Sequence, residues 1–148
     1  VCNAITTANN VLDEAEVDVE NRILFITPTL HNAIIALDTY KSKAMLEGFS
    51  AVVKVPQTRF YTAINLLDGK TSGEEIGGYK KATAGKNINF MIIQKSAVLQ
   101  FTKHIVNKII SPEDNQSADA WKFFYRAYGL TDVYENKVKG IYCSHSTT

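Results

Sequence analysis

The stretch from Asn87 to Tyr142, NINFMIIQKSAVLQFTKHIVNKIISPEDNQSADAWKFFYRAYGLTDVYENKVKGIY, decides the fold of this chain. It begins with the apolar run Ile88–Ile93, which predicts a buried strand. Ser96 then predicts the N-cap of a short helix that ends near Phe101. The stretch holds no nucleophile paired with a base, no metal-ligand cluster and no phosphate-binding loop. Its apolar content therefore indicates a structural role.

Periodicity leaves two later segments open between helix and strand. In residues 98–110, apolar side chains recur at helical steps, yet the β-branched residues before Pro112 favour a strand. In residues 117–135, Ser117 can cap a helix that carries several aromatic residues. The same residues permit a strand from Lys122 to Glu135 with a bend at Gly129. The pattern by itself does not decide either case.

The N-terminal part predicts a helix, a strand and a second helix in that order. Apolar residues at three- and four-residue steps predict an amphipathic helix over about residues 3–15. The run Ile23–Ile26 predicts a buried strand. Thr27 is expected to cap the next helix with its side chain, and Pro28 suits the first helical position. The expected buried face of that helix consists of Leu30, Ala33, Ile34 and Leu37.

The middle of the chain predicts a further strand and a long glycine-rich loop. Residues 51–55 read as a strand that Pro56 ends, because proline cannot donate to a ladder. Residues 60–67 remain open between helix and strand. Residues 68–86 contain five of the eight glycines, which predicts a flexible loop or a loosely held hairpin. Loops of this length in compact domains are usually functional or disordered.

Length and charge narrow the class of protein. A chain of 148 residues fits one domain, and its net charge of +1 gives no reason to expect a dedicated nucleic-acid-binding protein. Weak, sequence-independent contact between scattered lysines and DNA is still compatible with this charge. Two cysteines, Cys2 and Cys143, favour a reducing compartment over a disulfide framework. No apolar run approaches the roughly 20 residues of a membrane span, and the start at Val1 suggests a piece of a longer protein.

The residues that carry chemistry elsewhere predict no catalytic, cofactor-binding or metal site here. Gly69-Lys70-Thr71 lacks the earlier glycine of a phosphate-binding loop, because position 64 is isoleucine. Cys143 and His145 lie in an apparent tail without an orienting third group. His31 and His104 have no second ligand at zinc spacing and are expected at the surface or partly buried.

The aromatic residues near Trp121 are too many for one buried face. Five of the eight residues from Trp121 to Tyr128 are aromatic. Most of them are expected in the core, and the remainder are expected to contact another segment or another subunit, because aromatic residues and arginine are enriched at interfaces. Arg126, in the middle of this cluster, fits the same role.

The order of several sequence blocks resembles the major capsid (coat) proteins of tailed bacteriophages, the group with the Hong Kong ninety-seven type fold. An amphipathic helix precedes an apolar strand and a proline-started helix, and a glycine-rich loop separates the next two blocks. The blocks that carry the resemblance are Arg22–Pro28, Val53–Tyr61, Ile88–Ile93, Lys95–Leu99, Tyr125–Tyr128, Asp132-Val133, Asn136-Lys137 and Gly140–Tyr142.

The resemblance implies an α+β fold, namely the capsid protein's apical domain, with a central mixed sheet flanked by helices, plus part of the peripheral domain. Residues 1–20 would form a helix at the junction of the two domains. Residues 21–103 would form the apical domain with its flexible loop 68–86. Residues 104–148 would supply return strands and a short helix near 117–121, and then a disordered tail at 144–148. Segments 105–110 and 122–135 would both be strands.

The resemblance also implies a function, partners and a location. The chain would be a non-enzymatic subunit of a phage or prophage shell around double-stranded DNA, assembled in the bacterial host cytoplasm and located in the virion capsid. Its partners would be copies of itself in pentamers and hexamers, with scaffold, portal and packaged DNA as further partners, and no membrane. The expected subunit-interface residues are Gly77, Gly78, Tyr79, Lys80, Tyr125, Arg126 and Tyr128.

Two other interpretations fit the same sequence. Bacterial encapsulins resemble these capsids and enclose enzymes, and neighbouring genes distinguish the two: terminase and portal genes indicate a phage, and a cargo-enzyme gene indicates an encapsulin. The second alternative is a small α/β enzyme or ligand-binding domain that uses the glycine-rich loop as a lid. It would require a pocket with converging polar groups.

Overall fold

The structure is a computed structural model in which residues 1–147 are described. Over that range the chain forms three α-helices and eight strands, so the predicted α+β class is confirmed. The helices are α1 (Cys2–Glu14), α2 (Pro28–Ala36) and α3 (Tyr40–Glu47). The strands are β1 (Arg22–Ile26), β2 (Ala51–Lys54), β3 (Ile64–Leu67), β4 (Gly78–Lys81), β5 (Ile88–Gln94), β6 (Val98–Ile110), β7 (Lys122–Val133) and β8 (Ile141–His145).

The chain divides into two compact units, and the division differs from the predicted domains. The first unit contains Val1–Ala97 and the segment from Asn136 onward, and the second contains Val98–Glu135. The predicted boundary between residues 103 and 104 falls inside β6. Strand β8 belongs to the first unit, because it pairs with β5 in the same sheet as β1.

The first unit is built on a mixed four-stranded sheet with the order β2-β1-β5-β8. Strands β1 and β2 are parallel, whereas the β1–β5 and β5–β8 pairs are antiparallel. A parallel pair needs a long crossover between its strands, and α2 and α3 supply it. Short 3-10 turns at Lys95–Ala97 and Glu135–Gly140 lie next to this sheet in sequence.

The core lies on one face of this sheet. Burial alternates along β1 and β5, so that Leu24, Ile26, Phe90 and Ile92 are buried together. Helix α1 contributes its predicted apolar positions 5, 8 and 12 to the same cluster. Each fully buried aliphatic side chain stabilises the fold by about 1.5–3 kcal/mol relative to an exposed one.

Two details of α2 differ from the expectation. Thr27 does occupy the N-cap and Pro28 the first turn, but the Thr27 side chain makes no capping bond among the described residues. Its carbonyl oxygen accepts the His31 amide at 3.0 Å instead. Of the predicted face only Ile34 is fully buried, and Ala33 and Leu37 are exposed.

The glycine-rich segment forms a hairpin. Strand β3 resolves the open segment 60–67 as a strand at Ile64–Leu67, and it pairs antiparallel with β4. The connection between the two strands covers residues 68–77. Of the two predicted forms, a loose loop and a hairpin, the structure shows the hairpin.

The second unit is a long antiparallel ribbon of β6 and β7. Its register runs from Val98 opposite Val133 to Ile110 opposite Lys122, with an irregularity between Thr102 and His104. Both open segments are therefore strands. The helix predicted from Ser96 to Phe101 is wrong, because the backbone groups from residue 98 onward bond to β7 in this ladder.

The predicted helix near Ser117 is also wrong. Residues 111–120 form turns instead, and the Asn115 side chain holds them. Its carboxamide oxygen accepts the Ser117 amide at 3.3 Å and hydroxyl at 3.0 Å, and its nitrogen donates to the Ala120 carbonyl at 2.7 Å. An asparagine that binds nearby backbone in this way competes with helix formation.

The predicted disordered tail is wrong at its start. Ser144 and His145 are part of β8, and the Ser146 amide donates to the Asn87 carbonyl at 2.8 Å. The last residue of that predicted tail, Thr148, lies outside the described residues.

Candidate functional site

The ribbon of β6 and β7 exposes a large amount of apolar surface, and we call it the β6–β7 ribbon. Nearly every side chain on both strands is exposed. An isolated two-stranded hairpin is marginally stable in water at best, and monomeric proteins rarely expose contiguous apolar patches beyond a few hundred Å². The ribbon is therefore the first candidate for a surface that another molecule covers.

The register of the ribbon sorts its side chains onto two different faces, because residues directly opposite each other in a ladder share a face. One face, which we call the charged face, contains the pairs His104–Tyr128, Val106–Arg126, Lys108–Phe124 and Ile110–Lys122, with Phe101–Leu130 and Leu99–Asp132 nearer the base. The other face, which we call the neutral face, contains Ile105–Ala127, Asn107–Tyr125 and Ile109–Phe123, with Thr102–Gly129, Gln100–Thr131 and Val98–Val133 nearer the base.

The neutral face carries no ionised side chain and presents large apolar groups to solvent. Phe123 is 73% exposed, Tyr125 69% and Ile109 62%, and they lie side by side at the distal end of the ribbon. Such a surface has the composition of the central part of an interface, where charged residues are depleted and aromatic residues enriched.

The charged face places cations around aromatic rings. Phe124 lies opposite Lys108, and Lys122 and Arg126 flank it at two-residue steps on its own strand. Nearer the base, the Lys103 ammonium lies 5.6 Å from the centroid of the Tyr128 ring. The His104 ring stacks on Tyr128 with the centroids 6.0 Å apart.

The irregularity at Lys103 decides which residues share these faces. Lys103 is the extra residue between Thr102, which pairs with Gly129, and His104, which pairs with Tyr128. A bulge of this kind shifts the alternation of the strand by one residue. Gly129 permits the close approach at this point, because a Cβ there would lie 3.1 Å from the Phe101 carbonyl oxygen.

The three expected interface residues of β7 lie in this ribbon but not on one face. Tyr125 belongs to the neutral face, whereas Arg126 and Tyr128 belong to the charged face. The expectation that most of the aromatic cluster is core is wrong: Trp121 and Phe124 are 59% and 52% exposed, and the other three aromatic residues are exposed as well. A two-stranded ribbon has no second layer to cover either face.

The other four expected interface residues lie in the β3–β4 hairpin. Gly77 and Gly78 have φ of 67° and 92°, a conformation that glycine adopts without strain. Tyr79 lies opposite Leu66, and both are exposed; the Lys80 ammonium binds the Glu74 carboxylate at 2.9 Å. Sequence reasoning missed the two most exposed apolar residues here, Leu66 and Ile76. The sequence feature that could have identified Ile76 is an apolar side chain inside a polar, glycine-rich segment, and Leu66 lies just before that segment.

Hydrogen bonds within the chain hold the connection between β3 and β4. One Asp68 carboxylate oxygen accepts the amides of Lys70 and Thr71, each at 2.8 Å, and the other accepts the Thr71 hydroxyl at 2.8 Å. The bond from the Thr71 amide, followed by that from Lys70, lowers the pKa of Asp68. The Gly73 amide likewise donates to Glu75 and lowers its pKa. Because the Lys70 and Thr71 amides already have a partner, they do not form a phosphate cradle.

The remaining titratable candidates are dispersed. Burial raises the pKa of the Cys143 thiol, which disfavours its reactive thiolate form. His145 Nδ1 lies 2.9 Å from the Ser146 carbonyl oxygen, to which it donates in the tautomer that carries a proton on Nδ1. His31 is buried with its Nδ1 unpartnered among the described residues. Within residues 1–147, no three His, Cys, Asp or Glu residues form a group able to hold a metal ion. No helix in that range is long and apolar enough to cross a bilayer.

Among the open cavities of the first unit, one of about 370 Å³ lies beside the end of β5. Its lining includes Asp18, Gln94 and Ser96, and these groups bond to the chain itself. The Gln94 side-chain oxygen accepts both the amide and the hydroxyl of Ser96 at 2.6 Å, and the Asp18 carboxylate accepts the Glu20 amide at 3.0 Å. The cavity thus offers few free polar groups from these three residues.

Comparison with protein-family models, with curated proteins and with solved structures found no match. The function is therefore argued from the surfaces described above and from the sequence resemblance. The two features that any function must account for are the exposed β6–β7 ribbon and the exposed β3–β4 hairpin.

Proposed function

We propose that this chain is a structural subunit of a bacteriophage or prophage capsid, and that it self-assembles into the icosahedral shell that packages double-stranded DNA. The observation that carries the proposal is the β6–β7 ribbon, whose apolar side chains are exposed on both faces. The ordered sequence blocks that resemble major capsid proteins give the proposal its specific form. In that family's terms, the first unit with its mixed sheet corresponds to the apical domain, and the ribbon corresponds to peripheral-domain strands.

The size of the exposed apolar surface favours association with another protein subunit over a monomeric state. Phe123 and Tyr125 are each about 70% exposed. With roughly 150–250 Å² per aromatic side chain, these two residues alone expose about 200–350 Å² on the neutral face. Ile105 and Ile109 extend the same surface. The neutral faces of two neighbouring subunits together approach the roughly 1,000 Å² of buried area that a specific interface requires.

Two exposed hairpins on one subunit suit the repeated contacts of a shell. A heterologous interface joins different surfaces of neighbouring copies and closes into rings when the rotation permits. In this proposal the β3–β4 hairpin contacts neighbours near the axis of a pentamer or hexamer, and the ribbon contacts neighbours around it. Tyr79 and Leu66 would form the apolar part of the axial contact, and the Lys80–Glu74 pair would form its polar rim.

The test is to purify the full-length protein and to image it by electron microscopy over a range of concentrations. Rings, shells or sheets of regular subunits are the expected result. A protein that stays monomeric at high concentration, with no ordered assembly, would refute the proposal. Sedimentation velocity on the same samples gives the size of the species in solution and separates ordered assembly from aggregation.

A further inference from the structure

We propose that the charged face of the β6–β7 ribbon binds single-stranded nucleic acid, with a base stacked on Phe124 and phosphates bound by Lys108, Lys122 and Arg126. This activity goes beyond the shell function and does not depend on it. It also differs from the weak DNA contact expected from scattered lysines, because it locates the contact on one face and around one ring.

The geometry of the ribbon places three cations around one ring. Lys108 is the cross-strand partner of Phe124, and such partners have Cβ atoms about 4.5–5.5 Å apart. Lys122 and Arg126 lie two residues before and after Phe124 on β7, about 7 Å away along the strand. The Phe124 side chain is about half exposed, and an open cavity of about 350 Å³ lies beside it. Its lining consists of Val106, Lys108, Ile110, Phe124, Tyr125 and Arg126.

The cations of this face are available to an anion. Among the described residues none of Lys103, Lys108, Lys122 and Arg126 forms a salt bridge. The Lys122 ammonium donates to the Ser117 hydroxyl, which is neutral and leaves its charge uncompensated. The one carboxylate on the face, Asp132, lies near the base of the ribbon and accepts the Val133 amide.

Acidic residues near the distal end limit the strength of the site. The connection between β6 and β7 contains Glu113, Asp114 and Asp119. Asp114 accepts the Ser111 hydroxyl at 2.9 Å. Their charge opposes an approaching phosphate, so we expect binding that is weak at physiological salt and clear at low salt.

The aromatic ring among the cations distinguishes a single strand from other polyanions. Proteins that bind single strands without sequence preference combine a basic surface with exposed aromatic rings on which bases stack. The bases of a duplex are already stacked on each other and cannot reach Phe124. An acidic peptide would satisfy the cations but would supply no flat ring for the exposed Phe124 side chain.

The test is fluorescence anisotropy of a labelled single-stranded oligothymidylate with the full-length protein, from about 20 to 200 mM salt. With these three cations engaged, the slope of log K against log salt is expected near −2, at about 0.7 per phosphate. Lys108→Gln should reduce the slope by about 0.7, and Lys108→Arg should preserve it. Phe124→Ala should weaken binding about 5- to 150-fold with little change of slope.

Matched variants keep the test specific to this face. Phe123→Ala removes a more exposed ring from the neutral face, and Lys41→Gln removes an exposed lysine of α3; both should leave the affinity for the oligothymidylate unchanged. Circular dichroism confirms that each variant is folded, and Phe124→Leu replaces Phe124→Ala if the ribbon does not form. A variant that neutralises Glu113 and Asp114 should bind more tightly.

The outcomes against the proposal are equally specific. It is wrong if no salt-dependent binding occurs at 20 mM salt, or if Lys108→Gln behaves as Lys41→Gln does. Equal affinity for a duplex of the same length would show that the protein attracts phosphates without stacking a base, and would overturn the proposal. Equal losses of affinity in the Phe123 and Phe124 variants would have the same meaning. Displacement of the oligothymidylate by thymidine monophosphate at a concentration similar to that of the oligothymidylate would assign the site to free nucleotides, which also counts against the proposal. Shell assembly is scored separately, so either proposal can fail alone.

Discussion

Replacement of Phe123 by serine is expected to weaken self-association while the chain remains folded. Phe123 is 73% exposed and lies on the neutral face opposite Ile109. Its side chain therefore contributes little to the stability of a single chain. In an assembly that covers this face, the same side chain would be buried.

The magnitude follows from the exposed area. A phenylalanine side chain offers roughly 150–250 Å², so about 110–180 Å² of Phe123 remains for a partner to cover. At about 25 cal/mol per Å² this corresponds to about 3–4.5 kcal/mol if covered completely. For a neighbour that covers about half of this exposed area, and because association has entropic costs, the expected loss is about 1.5–2 kcal/mol. This is about a 10- to 30-fold increase in Kd.

Sedimentation velocity of the full-length protein at several concentrations measures the effect, and thermal unfolding of the dilute protein measures stability. We expect the free energy of unfolding of Phe123→Ser to stay within about 0.5 kcal/mol of the parent, as for most surface substitutions. Tyr40→Ser is the matched control, because Tyr40 is 88% exposed on α3, outside both hairpins. Unchanged assembly of the Phe123 variant, or an equal loss in the Tyr40 variant, would refute the assignment of the neutral face.

Three further predictions concern the first unit. Ile92→Ala, in the core, should lower the free energy of unfolding by about 2–5 kcal/mol, as measured by chemical denaturation. Ile76→Ala, at a fully exposed position, should change it by less than about 0.5 kcal/mol. Similar losses in the two variants would contradict the described core. Gly85→Ala should destabilise the fold by about 1–3 kcal/mol in thermal unfolding, because the new Cβ would lie 2.5 Å from a backbone oxygen. Gly48→Ala, whose new Cβ would lie 3.5 Å from the nearest atom, should be neutral or stabilising in the same assay. The pKa of Asp68 is lowered from 3.8 in the folded chain. The stabilisation that the Asp68 carboxylate gives the hairpin connection is therefore fully present above pH 3.8 and is lost as the pH falls through the pKa of the folded state. A midpoint at or above 3.8 for Asp68 in an NMR titration would disprove this.

The elements that the sequence predicted correctly are those whose residues face one environment. Helix α1 has apolar residues at three- and four-residue steps, and β5 has an apolar run of strand length. Both are half-buried against one core, so that their periodicity reports their structure directly. The same argument accounts for β1, whereas the start of α2 at Pro28 was predicted from the fixed φ of proline, which suits the first helical turn.

The predictions failed where apolar residues are not buried. The aromatic residues from Trp121 to Tyr128 were expected mostly in the core, because apolar content usually reports burial. In the structure all five are exposed, and four of them lie on strand β7 of the two-stranded ribbon, which Trp121 precedes. The turn that contains Ser117 was predicted as the start of a helix because serine is a frequent N-cap, whereas the competing Asn115 side-chain bonds depend on the folded turn.

The candidate site shows the same limit. Sequence reasoning named Tyr125, Arg126 and Tyr128 as interface residues, and all three are exposed on the ribbon. It could not assign them to separate faces. That assignment depends on the pairing of β6 with β7 and on the extra residue at Lys103, which no local pattern reveals.

The sequence by itself determined helix α1 and strands β1, β2 and β5, because these follow from residue type and local spacing, whereas the α+β class was expected from the resemblance to a known family. Only the tertiary structure decided which side chains are covered. The β6–β7 register collects the cations Lys108, Lys122 and Arg126 around Phe124 and leaves the opposite face without charge. Burial and register are properties of paired segments that are distant in sequence, so local periodicity cannot specify them.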